Sequence, residues 1–174
     1  YHVPFTVRVA DIDETMDTAK SPFDEVARVS RLKALAVERT AEDVVIAADT
    51  VVVIDGQVLG KPRDKADAER MLAMLSGREH QVMTGLTVLR GQWAESVTEI
   101  SQVRFKELTN REIREYIATG EPMDKAGSYG IQGYGALFVE HIDGDYFNIM
   151  GLPVCRLGKI LAGAGVLNTR ELLQ

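Results

Sequence analysis

Apolar and polar positions along the chain change period several times, and each change marks an element. Phe5, Val7 and Val9 alternate with polar residues, which predicts a strand entering the acidic run Asp11-Ile12-Asp13-Glu14. Ser21-Pro22 followed by Asp24 and Glu25 is a helix start: a capping hydroxyl, a proline in the first turn and acids against the dipole. That helix is expected to run to about Thr40, with an apolar stripe through Val26, Val29, Leu32, Ala36 and Val37 that also contains Lys33. The run from Val44 to Ile54 is dense in Val and Ile and reads as a buried strand, turned at Asp55-Gly56 into a hairpin that ends near Gly60. Met71, Leu72 and Leu75 have helical spacing, stopped by Gly77. His80 to Leu89 and Trp93 to Phe105 read as two long strands joined at Arg90-Gly91-Gln92. Thr109-Asn110-Arg111-Glu112 is a capping box that opens a short helix ending at Gly120. A further hairpin is expected from Gly135 to Ile142 and Asp145 to Met150 around Asp143-Gly144, and Pro153 begins a C-terminal helix through Leu161. Interleaved helices and hairpins predict an α/β protein: a mixed sheet with flanking helices, in a single domain whose two lobes surround a central cleft.

Composition narrows the function more than the fold. The chain is 174 residues long, 45% hydrophobic and 26% charged, which suits one globular domain with a sizeable core. Its net charge of −6 argues against a nucleic-acid or anionic-membrane surface, although not against a polyphosphate held by a few local cations. No apolar run reaches membrane-spanning length and no signal peptide is visible, so a cytoplasmic setting is the expectation. Cys155 is the single cysteine and lies in an apolar stretch after Pro153, which predicts a buried, inert thiol. His2, His80 and His141 show no metal-ligand spacing and read as structural or surface residues.

Two segments carry candidate chemistry. Asp49 interrupts the apolar strand, and a carboxylate there is costly unless it is paired or faces a polar site. The hairpin returns Lys61 and Arg63 beside it, around Pro62, so acid and cations converge as a metal-bound polyphosphate would require. The competing reading is an Asp that caps a bulge or pairs with a nearby lysine. Lys33, in its apolar stripe, either snorkels to the rim or reaches an anion. The second segment, Glu121 to Gly133, spaces Gly127, Gly130 and Gly133 three apart, which frees the backbone to approach a ligand. Lys125 offers a cation there, or else pairs with Asp124 or Glu121. Tyr129 offers an aromatic surface, and Gln132 an amide able to read the edge of a base.

Ala48-Asp49-Thr50, Gly60-Lys61-Pro62, Leu75-Ser76-Gly77, the whole of Glu121 to Gly133, and Gly151-Leu152-Pro153 together resemble the Maf family of nucleoside triphosphate pyrophosphatases. The motifs occur in family order over nearly the whole chain. The resemblance implies hydrolysis of a nucleoside triphosphate to the monophosphate and pyrophosphate with a divalent cation, Mg²⁺ or Mn²⁺, usually by a homodimer. It makes Asp49 the catalytic acid and Glu14 an upstream carboxylate at the site, the two expected to hold the metal. Lys33, Lys61 and Gln132 match substrate-contacting positions, with Lys125 a further phosphate candidate. Thr50 matches a selectivity position, Asp-Thr members favouring dTTP and UTP. The chain departs from the family at its start, where a Ser-x-Ser-Pro-Arg-Arg loop is missing. This implies that roughly twenty residues precede Tyr1 in the complete protein, with arginines that grip phosphates by forked hydrogen bonds.

Two other readings compete. Asp11-Ile12-Asp13-Glu14-Thr15 fits the Asp-x-Asp-x-Thr nucleophile motif of haloacid dehalogenase-type phosphatases, and Gly144-Asp145 begins the later acidic motif that fold needs, but Ile149 stands at its last position. Association of Maf proteins with septum formation and division arrest also leaves room for a non-catalytic nucleotide sensor.

Overall fold

The computed structural model describes Tyr1 and residues 3–168; His2 lies outside the described residues. Five strands form one sheet in the order β2-β1-β3-β4-β5: β1 Val44–Ile54, β2 Gln57–Leu59, β3 Glu79–Arg90, β4 Trp93–Phe105 and β5 Val139–Asp143. Every pairing is antiparallel, because neighbours in the sheet either follow a tight turn or return across it. The β1–β2 turn is Asp55-Gly56, both at positive φ (50° and 75°), the geometry that matches the right-handed twist of the flanking strands. Helices flank this sheet, as the α/β expectation requires.

One face of the sheet carries α1 (Pro22–Ala36). Val26 packs there with Val51, Val53 and Met83, and Ser30 Oγ meets Thr87 Oγ1 at 2.8 Å. Contact is close because position 85 has no side chain: a Cβ on Gly85 would lie 2.2 Å from the Val26 carbonyl oxygen. The other face carries α2 (Lys65–Leu75) and α3 (Asn110–Ala118), whose Leu72, Leu75, Ile113 and Ile117 join Val52, Ile54, Val82 and Phe105 in the main core. Farther along the same face α5 (Val154–Gly163) sets Leu157, Ile160 and Leu161 against Leu86 and Val88. His80 is buried in the main core beside Phe105 and bonds Tyr129 through Nε2 at 2.9 Å, and burial lowers its pKa to about 4. No described helix is long and apolar enough to cross a membrane.

Several expectations are corrected. Residues 5–9 alternate as a strand should, but among the described strands none pairs with them, and Phe5, Val7 and Val9 are 86%, 82% and 93% exposed. Helix α1 stops at Ala36, where Val37 turns extended, and its buried face is Val26, Val29, Ser30 and Ala34, with Leu32 and Ala36 outside. The hairpin expected around Asp143-Gly144 is half strand and half helix. Asp145 accepts the Phe147 amide at 2.8 Å and caps a single turn, α4 (Tyr146–Ile149), so a local side-chain bond wins over strand pairing. Cys155 is exposed, because the buried face of α5 runs through Leu157 and Ile160 and position 155 falls on the opposite side.

Two stability predictions follow from this packing. Gly85→Ala should lower stability by roughly 1–3 kcal/mol through overpacking, read as a lower urea midpoint. His80 binds a proton more readily in the unfolded chain, at its ordinary 6.5, than in the folded one, at about 4. Its contribution is therefore present above the unfolded value and is lost as pH falls toward the folded one. Between about pH 7 and about pH 4 the stability of wild type relative to His80→Asn should fall by a total of roughly 3 kcal/mol.

Candidate active site

Strand β2 pairs only with Val52–Ile54 of β1, so the stretch from Val44 to Val51 has β3 on one side and none of the described strands on the other. Where β2 ends, the chain diverges through Gly60 and Lys61, and a cleft of about 580 Å³ opens against β1. Residues distant in sequence line it: Glu14, Lys33, Asp49, Thr50, Lys61 and Lys125.

Asp49 pairs with Gly85 across the sheet, beneath the place where α1 comes closest. Lys33 lies seven residues, two helical turns, beyond Val26 on that same helix and thus reaches the acid. Its Nζ donates to Asp49 Oδ1 at 2.7 Å and lies 3.0 Å from Glu14 Oε2. One ammonium therefore bridges two carboxylates, Asp49 largely buried and Glu14 half exposed. Burial pushes the Asp49 carboxyl above its ordinary range, and Lys33, with Lys61 behind it, opposes that shift without cancelling it. Burial also pulls Lys33 down, but its two acidic partners outweigh this and hold it above the ordinary lysine value. The 2.7 Å contact marks a charged pair, with Asp49 as carboxylate and Lys33 as ammonium.

Among the described residues no three His, Cys, Asp or Glu side chains group into a ready-made metal cage. Two carboxylates converging on one cation nevertheless fit a hard divalent ion that completes its shell with water and phosphate oxygens. Asp49 and Glu14 are the residues able to hold it.

The structure places the other expected residues unequally. Lys61 is exposed on the cleft wall, and Lys125, also on the wall, pairs with Asp124. Gln132 is exposed and does not line the cleft; its neighbour Ile131 does. Gln132 belongs to a turn closed by the Gly133 amide bonding Gly130 oxygen at 3.3 Å. Nor do the loop glycines mainly admit a ligand. A Cβ on Gly127 would come within 2.6 Å of Val52, and one on Gly133 within 2.2 Å of the Glu121 carboxylate. The glycines allow the loop to close on the protein itself.

Glu121 does what the sequence did not announce. Its carboxylate accepts from Tyr116 hydroxyl at 2.9 Å, Tyr134 amide at 2.9 Å and Gly135 amide at 3.0 Å. Burial alone would raise its pKa, but the Gly135 and Tyr134 amides and the Tyr116 hydroxyl outweigh it and hold the carboxyl below its ordinary range. Tyr116 oxygen in turn accepts from the Gly130 amide at 3.0 Å, so both ends of the turn bearing Gln132 are tied to one acid–phenol pair. The clue available in sequence was the pair of glycines, Gly133 and Gly135, twelve and fourteen residues after Glu121, which leave room for a half-buried carboxylate.

The dehalogenase-type alternative loses its scaffold. Asp11 and Asp13 are exposed on a segment that follows no described strand, Asp13 accepts the Thr15 amide at 2.9 Å, and Asp145 is spent on capping α4.

With this geometry in view, a family model described as Maf-like protein matches residues 1–164. The chain belongs to the Maf family. Curated relatives named dTTP/UTP pyrophosphatase align over most of its length. The protein from Bacillus cytotoxicus is 49% identical over 161 residues, covering 92% of this chain and 84% of the relative. That from Symbiobacterium thermophilum is 48% identical over 164 residues, covering 94% and 84%, and that from Bacillus pumilus 47% over 163 residues, covering 93% and 86%. Within this Maf chain, Glu121→Ala should strand two amides and a phenol, costing roughly 1–3 kcal/mol. Hydrogen exchange at the Gly130, Tyr134 and Gly135 amides should quicken by at least about tenfold while exchange in β3 stays unchanged.

Proposed function

We propose that this chain hydrolyses nucleoside triphosphates to the monophosphate and pyrophosphate, with dTTP and UTP preferred. The observation that carries this reading is the Lys33-bridged pair Asp49 and Glu14 at the open edge of β1, lining one cleft together with Lys61 and Lys125. The names of relatives at 47–49% identity supply the substrate class.

Asp49, kept as a carboxylate by Lys33, accepts a proton from a water and aims it at the α-phosphorus. A bond forms between that water's oxygen and phosphorus while the α–β bridging bond breaks, and pyrophosphate leaves with the bridging oxygen. Lys61, with Lys33 once drawn to the polyphosphate, stabilises the charge that gathers on the leaving group. A divalent cation, Mg²⁺ or Mn²⁺, held by Asp49 and Glu14, would neutralise phosphate charge when bound. Lys125 shares its charge with Asp124 and makes a weaker phosphate contact. A homodimer and a cytoplasmic setting complete the proposal.

Asp49→Asn should retain the fold and lose about 10²–10⁴ in turnover, the range of a removed general base. Pyrophosphate and nucleoside monophosphate, separated by anion exchange, are the expected products. Release of nucleoside diphosphate and orthophosphate instead, or near-normal turnover by Asp49→Asn, would contradict the assignment.

A further inference from the structure

Lys33 Nζ stands between two carboxylates, 2.7 Å from Asp49 Oδ1 and 3.0 Å from Glu14 Oε2. A divalent ion held jointly by the same carboxylates takes its oxygen ligands at about 2.0–2.6 Å, which is the space the ammonium fills. The two cations therefore exclude one another. Side by side they would also set three positive charges against two negative ones at contact distance.

The backbone beneath each carboxylate is fastened. Asp49 belongs to β1 and pairs with Gly85. Beyond Glu14, Thr15 oxygen accepts from Arg28 Nη2 at 2.9 Å and the Asp17 amide donates to Glu25 Oε2 at 2.8 Å. Met16, between them, packs against the cluster of Val26, Val51, Val53 and Met83. The movable member of the trio is the lysine, on its flexible four-carbon stem. Among the described residues lining the cleft, the remaining acid, Asp124, is already paired with Lys125. An ammonium pushed aside by a bare metal ion thus finds no unpaired carboxylate there to receive it. A polyphosphate entering with the metal supplies acceptor oxygens in the same cleft. Lys33 has a third N–H with which to take one of them before it releases the acids.

We propose that Lys33 is an exchangeable counterion, which makes the site select a metal-bound polyphosphate over the metal or the polyphosphate alone. The ammonium holds the Asp49–Glu14 pair until a nucleotide brings a divalent cation to the carboxylates and phosphate oxygens to the lysine. The two positive groups then trade partners. A nucleotide without metal would draw the lysine away and leave two carboxylates uncompensated beside its phosphates. Metal and nucleotide therefore strengthen each other's binding by one and the same factor. The proposal rests on the reading of Asp49 and Glu14 as the metal-holding pair and states how a metal reaches them.

The test measures binding, not turnover. Mn²⁺ alone is titrated by loss of the electron paramagnetic resonance signal of the free ion. α,β-Methylene-dTTP with Mg²⁺, a nucleotide whose α–β bridge resists hydrolysis, is titrated by calorimetry. Lys33→Met should bind Mn²⁺ alone at least about tenfold more tightly than wild type, because no ammonium competes for the carboxylates. The same variant should bind the Mg²⁺–nucleotide about tenfold or more weakly, having lost a charged phosphate contact. Damage to the fold weakens both and cannot give this opposite pair of changes. Lys61→Met removes the same charge from the cleft wall without touching the carboxylates. It should weaken the nucleotide yet leave Mn²⁺ alone within about twofold. Adding Glu14→Gln to Lys33→Met should erase the gain for Mn²⁺. In wild type itself, the carbon-13 signal of the Lys33 ε-methylene should shift with Mg²⁺ and the analogue together and stay in place with Mg²⁺ alone.

Unchanged or weaker Mn²⁺ binding in folded Lys33→Met overturns the proposal, as does an equal gain in Lys61→Met. So does a wild-type Lys33 signal that moves as far with Mg²⁺ alone, or that does not move with Mg²⁺ and the analogue. Pyrophosphate release by wild type, assayed beside these, separates the two claims. Release without the exchange leaves the pyrophosphatase reading standing, and the exchange without release supports the lysine's role and overturns the activity.

Discussion

Helix α1 lies so close to the sheet that the Val26 carbonyl oxygen occupies the space a side chain at position 85 would need. That contact sets the height of the helix over β1 and β3, and with it the reach of every residue on its lower face. Lys33 is two turns farther on, where a four-carbon stem spans the remaining gap to Asp49. A helix lifted by even one methyl group would have to shift backbone to keep the 2.7 Å pair. The acid that interrupts an otherwise apolar strand is tolerable because this cation is held beside it.

The second constraint is the shortness of β2. Three residues pair with β1, and then Gly60 and Lys61 leave the sheet. A longer hairpin would have covered the edge at Asp49 and Thr50 and closed the cleft. Instead the edge is walled by elements from far along the chain, the loop after α3 and the turn around α4. Each is fastened by polar groups that are buried or half-buried: Glu121 and Tyr116 tie down the first, and Asn148 and Ser101 the second. Such networks hold a site open and rigid where apolar packing alone would tend to collapse it.

The cleft is divided by chemistry along β1. Asp49 faces α1 and its lysine, while Thr50, one residue on, faces the opposite side of the sheet, where its hydroxyl meets that of Thr84. Alternation along a strand thus gives two adjacent residues different partners: a charged pair for one and a hydroxyl pair for the other. Both line the same cleft because the edge of β1 is open there.

Much of this could be read from the chain before folding. Local rules dominate short elements, so the caps at Ser21 and Thr109, the Asp55-Gly56 turn and the long strands of 79–105 were legible. The chemical oddity of Asp49 in an apolar run was legible too, as was the polar character of the loop from Glu121. What the sequence could not announce depended on partners far away in the chain. The alternation of residues 5–9 was plain, yet pairing needs a neighbour and none of the described strands provides one. Asp145 could have continued a strand or capped a helix, and the anchoring of Asn148 under Val82 and Ser101 accompanies the second outcome. Gly85 and Glu121 look ordinary in sequence. Their roles arise only when a helix, a strand and a loop come within hydrogen-bond or van der Waals distance. Periodicity and capping are properties of a few successive residues, so the sequence alone determined the elements and the suspect acid. The lysine that meets an acid and the side chain that reaches a cleft are properties of convergence, and tertiary structure decided them.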